Sequence, residues 1–398
     1  MKILFVSDTY FPHVNGVYYF VRRLGILLQQ NGHDVSVLVP SENMHPSEKM
    51  IDGLKVYGVP SFPIVVYPKL RFAMPLNLKY HAKKILEQLK PDVIHLQDHF
   101  MLAKAVVEVN KNLGTPIMGT NHFMPENITA LMPFSFFNKQ LEKWLWSGFI
   151  KVFNQLKIAT TPTEMAAKLI HGKLNIDVIA VSNGIDLERF KAFGETVTVR
   201  KKYHIPEKPV LLYVGRLDPE KRLDDVLHAA AKALKSLDFC FVMVGKGIQR
   251  QPLEKLAEKL GIQQNVVFAG FVPDEELPFF HKMAQCFIMA SIAELQSIST
   301  MEAMAAGLPI IAADAGALDE LVQHGKNGYL FDQGNIGDMA LYIEKVISKK
   351  YLAKEMGKNS SKMIFKHDIN ETVNVFETIY KELRKKENVS LRVVSRNG

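Results

Sequence analysis

Cysteine is scarce: Cys240 and Cys286 are the two in 398 residues. That count excludes a disulfide scaffold, and no Cys/His cluster has the spacing of a zinc site. Both lie in apolar runs, FCFVMVG and CFIMA, where a thiol reads as a small buried hydrophobe in a reducing compartment. Long apolar runs are missing as well. No stretch reaches the roughly 18 uncharged apolar residues of a membrane span. The opening MKILFVSD has too short an apolar run before Asp8 for a signal peptide, so the expectation is a cytoplasmic protein. Short repeats and low-complexity segments are absent too. What is present is 47% apolar and 23% charged residues, a globular composition that excludes a disordered chain. The length suggests two or three domains. The surplus charge, 49 − 41 = +8, is compatible with nucleic acid, an anionic membrane or a phosphorylated substrate.

Short apolar runs alternate with segments of helical period. Lys2–Ser7, Val35–Val39, Leu54–Val59, Val93–Leu96, Pro116–Gly119 and Ile158–Thr160 read as strands, with helical patterns such as Val17–Gln30 and Leu76–Leu89 between them. That alternation predicts right-handed crossovers and a doubly wound parallel sheet. The pattern restarts with Val210–Gly215, Phe239–Gly245, Val266–Gly270, Phe287–Ala290 and Pro309–Ala313, and with helices over Arg222–Ser236 and Pro252–Leu260. The fold class is therefore α/β, with two Rossmann-like domains expected to face a central cleft. The division is 1–182 for the first domain, 183–368 for the second, and 369–398 for a C-terminal helix (Ile369–Lys386) and tail whose packing the pattern leaves open. The Asn183-Gly184 turn marks the join.

In open parallel sheets ligands bind beyond the carboxyl ends of the strands, so the loops there are the place to search. After Val210–Gly215 comes Gly215-Arg216-Leu-Asp-Pro-Glu-Lys221-Arg222. Gly215 allows close backbone approach, Arg216 offers a planar fork for phosphate oxygens, and Lys221 adds a second cation near a helix start. One Arg and one Lys on one strand–helix turn suit a diphosphate, although the same loop alone also fits a solvated charged turn. A second constellation is Glu294-Leu-Gln-Ser-Ile-Ser-Thr-Met-Glu302, then Ala-Met-Ala-Ala-Gly-Leu-Pro309. A carboxylate accepts two hydrogen bonds and so suits the vicinal hydroxyls of a sugar or ribose; Glu302 could equally just support its helix.

Together, G-R-L-x-x-E-K-x-x-D (Gly215 to Asp224), the Glu294/Glu302 pair and E-A-M-A-x-G-x-P (Glu302 to Pro309) resemble the retaining glycosyltransferases of family 4. Ser7 to Val17 is similar to that family's first loop, and Val181 to Asp186 to its interdomain segment. The resemblance implies a GT-B fold that binds a nucleotide-sugar donor. It implies that Arg216 and Lys221 hold the diphosphate, Glu302 the ribose and Glu294 a hydroxyl of the transferred sugar. Backbone around Leu295, Gln296 and Ser297 would meet sugar or phosphate, and Gly16 would leave room for the diphosphate. Many members carry two glycines where this chain has Asn15-Gly16; Asn tolerates positive φ. His122, in Gly-Thr-Asn-His-Phe, is similar to the T-x-H loop of lipid-modifying members, whose histidine touches the donor sugar or the reaction centre. His13, His95 and His99 also sit near strand ends but carry no assignment, and Gly245-Lys246-Gly247 is a weak G-x-G that could pass near base or phosphates. The assigned catalytic set is His122, Arg216, Lys221 and Glu294. No D-x-D triplet occurs, so no cofactor and no metal is expected. The resemblance further implies retention of configuration, with a donor phosphate oxygen assisting deprotonation of the acceptor.

Residues 1–182 carry 19 − 13 = +6 and residues 183–398 carry 30 − 28 = +2. Within the basic half, Leu131–Phe153 interleaves aromatics with lysines, and Tyr67–Phe72 is a smaller cluster of that kind. Lys139, Lys143, Trp144, Trp146 and Phe149 form the expected face for an anionic bilayer or acceptor, though a core helix with its lysines in water fits the same pattern. The aromatics run at helical spacing, so no nucleic-acid partner is expected. The resulting expectation is transfer of a hexose from a UDP-sugar to a membrane lipid or glycolipid by a peripheral enzyme, similar to bacterial diacylglycerol glucosyltransferases. The rivals are polysaccharide or small-glycoside synthesis, an epimerase on the same fold, and a two-domain sugar-binding protein without chemistry.

Overall fold

A computed structural model describes residues 1–11, 16–63, 71–122, 138–190 and 196–385. The chain divides into two units. The first is built from residues 1–122, 140–182 and 370–385, the second from residues 183–369.

In the first unit the elements run β1 (Lys2–Val6), α1 (Gly16–Gln30), β2 (Asp34–Pro40), β3 (Ser47–Ile51), β4 (Leu54–Val59), β5 (Ser61–Pro63), β6 (Arg71–Ala73), α2 (Leu78–Leu89), β7 (Val93–Leu96), α3 (Met101–Asn110), β8 (Ile117–Thr120), α4 (Asn138–Phe153), β9 (Ile158–Thr161), α5 (Glu164–His171) and β10 (Val178–Ala180). The main sheet has the order β10-β9-β8-β7-β1-β2-β4-β3. All its pairings are parallel except β3 with β4, an antiparallel edge that apolar runs do not announce. Alternate residues of β1 enter different cores. Ile3 and Phe5 join α1 in one cluster, and Leu4 and Val6 join α2, α3 and α4 in another. A strand covered on both faces reads as one continuous apolar run, and KILFV does.

The second unit contains α6 (Val197–Lys202), β11 (Val210–Val214), a 3₁₀ turn at Pro219–Lys221, α7 (Leu223–Ala233), β12 (Cys240–Val244), α8 (Arg250–Lys259), β13 (Val266–Gly270), α9 (Leu277–Met283), β14 (Cys286–Met289), α10 (Ile298–Ala305), β15 (Ile310–Ala313), β16 (Gly328–Phe331), α11 (Ile336–Ser348) and α12 (Lys350–Met363). Its sheet is wholly parallel, in the order β13-β12-β11-β14-β15-β16. Counted from its first strand this is 3-2-1-4-5-6, the doubly wound order of dinucleotide-binding folds. The strand order reverses between β11 and β14, and the Gly215–Asp224 and Glu294–Pro309 motifs follow those two strands. Cys240 and Cys286 are fully buried free thiols, raised in pKa by burial.

The last helix, α13 (Ile369–Arg384), packs on the first unit. Val373, Phe376, Ile379, Tyr380 and Leu383 form its buried stripe against the cluster that holds Phe5 and Phe20.

Candidate active site

The loops after β11 and β12 lock together before any site chemistry is considered. Gly215 N–H donates to the Val244 carbonyl at 3.0 Å, and Leu217 N–H to the Lys246 carbonyl at 3.0 Å. A Cβ at Gly245 would overlap the Gly215 carbonyl, and one at Gly247 would overlap Leu217 backbone. The G-x-G of Gly245-Lys246-Gly247 thus has a packing reason: two backbones lie closer than a side chain permits. Gly245 also has φ +136°, so its glycine is doubly required.

Arg216 stands on this locked loop. The buried Tyr213 hydroxyl donates to the Arg216 carbonyl at 2.7 Å, and burial raises the phenol well above its ordinary pKa. The guanidinium is half-exposed and pairs with Asp218 through Nη1 and with Glu220 through Nη2 at 2.5 Å. Both acids are almost fully buried, at 4% and 2% exposure. Asp218 uses its other oxygen to accept from Ile248 N–H at 3.2 Å, which ties the clamp to the β12 loop. Sequence reasoning missed Asp218 and Glu220. The signal was available in their positions two and four residues after Arg216, but its reading depends on the 3₁₀ turn.

Lys221 donates to Glu294 Oε1 at 2.5 Å and to Ser291 Oγ at 3.5 Å. The two charged side chains are 13% and 11% exposed. Ile292 N–H donates to the Glu220 carbonyl at 3.1 Å, so backbone also joins the two loops. Behind Glu294 lies the loop after β15. Ala317 N–H donates to the Glu294 carbonyl at 3.0 Å, and a Cβ at Gly316 would stand 2.6 Å from that oxygen. Thus three strand-end loops fix one carboxylate and one ammonium.

The other residues expected on the donor side are placed as follows. Ser297 is the N-cap of α10, its side chain accepting from Thr300 N. Gln296 Oε1 accepts from Asn183 N–H at 2.8 Å, so this side chain anchors the 183–186 segment. Leu295 is buried, and Glu302 lies buried within α10 at 5% exposure.

In the first unit the strand order reverses between β1 and β7, and polar groups gather after those strands. Asp8 N–H donates to Asp98 Oδ2 at 2.6 Å, and Leu102 N–H to Asp8 Oδ1 at 3.4 Å. Burial, then the adjacent Asp98 carboxylate, pushes Asp8 well above the usual carboxylate range. His122 Nε2 lies 3.1 Å from Gln97 Oε1, and its ring packs on Phe20 with centroids 4.8 Å apart. Burial lowers the His122 pKa to about 3, so the imidazole is neutral. His95 is a core group, 2.8 Å from the Tyr380 hydroxyl and 2.6 Å from Thr120 Oγ1. His99 is buried, with its pKa lowered to about 4 by burial. Gly16 begins α1, and a Cβ there would meet nothing within 4 Å; no described neighbour demands glycine. His13 and Asn15 lie outside the described residues.

The expected bilayer face needs one correction. Phe149 is fully buried, stacked on Phe153 with centroids 4.2 Å apart and edge-on to Trp146 and His99. It belongs to the core stripe of α4 with Leu145, Val152 and Phe153, one helical face away from Trp144. Trp144 is 69% exposed. Trp146 is half-buried, with the Lys173 ammonium 5.0 Å from its ring centre. Lys143, Trp146, Ser147, Ile150, Lys151 and Lys173 line an open groove of about 490 Å³. The Lys139 side chain and residues 67–70 of the smaller cluster lie outside the described residues. Among the described residues, no helix is long and apolar enough to cross a membrane, and no three His, Cys, Asp or Glu side chains gather as metal ligands would.

Comparison with known proteins adds a second line of evidence. Residues 14–189 match the family model for Glycosyltransferase Family 4, and residues 196–363 match Glycosyl transferases group 1. The chain is 28% identical over 339 residues to an alpha-monoglucosyldiacylglycerol synthase of Streptococcus pneumoniae, covering 83% of this chain and 75% of that one. It is 26% identical over 337 residues to a GDP-mannose-dependent alpha-mannosyltransferase of Mycobacterium tuberculosis, covering 84% of each. Among solved structures it is similar to Anabaena HepE in complex with UDP-glucose, with a TM-score of 0.76 at 17% identity over 96% of this chain and all of that one.

Proposed function

The chain belongs to the GT-B glycosyltransferases, Family 4 over its first half and group 1 over its second, and on that premise we propose that it moves a hexose from a UDP-sugar to a membrane lipid or glycolipid with retention of configuration. The observation that carries the donor side is two cations held at the switch point of the second sheet, Arg216 by Asp218 and Glu220 and Lys221 by Glu294. Breaking the sugar–phosphate bond leaves positive charge on the sugar and adds negative charge to the departing diphosphate. Arg216, already fixed by Asp218 and Glu220, opposes that growing charge without reorganising when it forms. In this reading Lys221 exchanges its internal carboxylate for diphosphate oxygens, which frees Glu294 for a hydroxyl of the transferred sugar. Glu302 takes the ribose, backbone at 295–297 lies along the donor, and Gly16 leaves space for phosphate.

Two side-chain cations supply the charge neutralisation, so the proposed transfer needs no divalent ion. No covalent nucleophile is required. A diphosphate oxygen of the donor takes the acceptor proton while the acceptor oxygen bonds to the anomeric carbon on the face the diphosphate leaves, and His122 contacts the sugar or acceptor.

The lipid acceptor is supported by the likeness to a diacylglycerol glycolipid synthase and by α4, which carries exposed Trp144 and contributes to a groove lined by three lysines. A basic, aromatic face of this kind suits an anionic bilayer. The likeness to a GDP-mannose-dependent enzyme supports a second reading of the donor, GDP-mannose. The test is a thermal-shift panel of UDP, GDP and ADP with their sugars, followed by transfer to lipid extract. A rise in melting temperature with UDP-sugars and a labelled glycolipid product are expected. Labelling of a water-soluble acceptor only would overturn the lipid reading.

A further inference from the structure

His122 is half-buried and, with its pKa held low, neutral, so its two ring nitrogens must differ: one carries hydrogen and donates, the other holds a lone pair and accepts. Which is which follows from Gln97. That side chain is 1% exposed, and its Nε2 faces the His95 carbonyl oxygen at 3.5 Å while its Oε1 faces His122 Nε2 at 3.1 Å. Exchanging the amide oxygen and nitrogen would set a carbonyl against the His95 carbonyl. The His95 carbonyl, held in a strand, therefore favours this amide orientation over the exchanged one. With an acceptor oxygen on its Nε2, His122 must place its hydrogen there. Nδ1 is left as a lone pair with no hydrogen-bond partner among the described residues.

We propose that Gln97 is a positioning residue that sets the tautomer of His122, so that His122 Nδ1 accepts a hydrogen bond from a hydroxyl of the substrate. The recognised group must be a donor. A sugar hydroxyl or the acceptor alcohol fits, whereas diphosphate and carboxylate oxygens, which only accept, do not. This rests on the glycosyl-transfer reading for the identity of the hydroxyl, but the tautomer itself does not.

The test uses the full chain labelled with ¹⁵N-histidine. Long-range proton–nitrogen spectra at pH 6 to 8 read each ring tautomer, and His122→Gln assigns the His122 signals by their loss. The expected result is a protonated Nε2 and an unprotonated Nδ1. Gln97→Leu is expected to give a mixture of tautomers and to lower kcat about tenfold, with the UDP dissociation constant within twofold of wild type. Gln97→Glu is expected to keep Nε2 protonated but draw a second proton to Nδ1, so that activity is lost although the side chain still fits. UDP-glucose and diacylglycerol vesicles, added separately, distinguish the source of the hydroxyl by which of them moves the Nδ1 resonance. A wild-type His122 protonated at Nδ1, a tautomer unchanged by Gln97→Leu, or an Nδ1 resonance unmoved by both additions when UDP binds would overturn the proposal. The expected tautomer in a protein that transfers no sugar would instead count against the glycosyl-transfer reading.

Discussion

Lys221 and Glu294, 73 positions apart in the chain, meet as a 2.5 Å ion pair in which neither side chain is more than 13% exposed. Removing one partner strands the other in a place poor in water, which is costlier than losing an exposed pair. Lys221→Ala and Glu294→Ala should each lower the melting temperature, and the double variant should lower it by less than the sum. Thermal unfolding of the three variants checks this as a double-mutant cycle.

Glu220 offers a sharper test of the arginine clamp. Glu220→Gln keeps the side-chain shape and removes the charge that holds Arg216 Nη2. A charge-assisted bond is worth about 1.5–3 kcal/mol, so the affinity for nucleoside diphosphate should fall roughly tenfold or more. In the Arg216→Ala background the same change should do little. Calorimetric titration of UDP across the four proteins measures both; equal losses in the two backgrounds would mean that Glu220 acts elsewhere.

Two of the three aromatic residues assigned to one surface should behave oppositely. Phe149→Ala removes a fully buried ring and should cost about 3–5 kcal/mol of stability. Trp144→Ala, at a position 69% exposed, should leave stability within about 0.5 kcal/mol and weaken binding to anionic liposomes. Denaturant unfolding and liposome sedimentation separate the two effects.

Stability should fall as the pH drops from 7 to 5. His281 is fully buried and its pKa is lowered to about 4, and His99 is lowered to about 4 as well, both chiefly by burial. A depressed histidine stays neutral in the fold while the unfolded chain takes up a proton below pH 6.5, so acid favours unfolding. Each such histidine contributes about 2 kcal/mol to the loss over that window. Asp8, raised in the fold, works in the opposite sense, since its unfolded form releases a proton above about pH 4. His281→Gln should reduce the acid sensitivity, as read from denaturant midpoints at the two pH values.

Much of the fold was legible because its strands are buried on both faces. KILFV, VLLYV and CFVMV are continuous apolar runs, and each became a central strand. The polar edge strand SEKMI and the short GYLF carry no such signal. Arg216, Lys221 and Glu294 were singled out by the motif resemblance, since their charge alone also fits a solvated turn. Their buried partners Asp218 and Glu220 were not, since an acid beside a cation in sequence reads as a solvated turn. Gln97 carries no charge and gave no signal; its role depends on a carbonyl two residues back. Phe149 was misplaced by counting aromatics across α4 as one face, although Leu145, Phe149, Val152 and Phe153 follow the i, i+4, i+7, i+8 spacing of a core stripe.

The most direct measurement is release of nucleoside diphosphate from a UDP-sugar with lipid extract as acceptor, by wild type, Arg216→Ala and Glu294→Ala, each confirmed folded. Glycolipid formation by the wild type is expected, with losses of about 100-fold or more in both variants. Undiminished transfer by both folded variants would contradict the assignment of the donor site to the β11 and β14 loops.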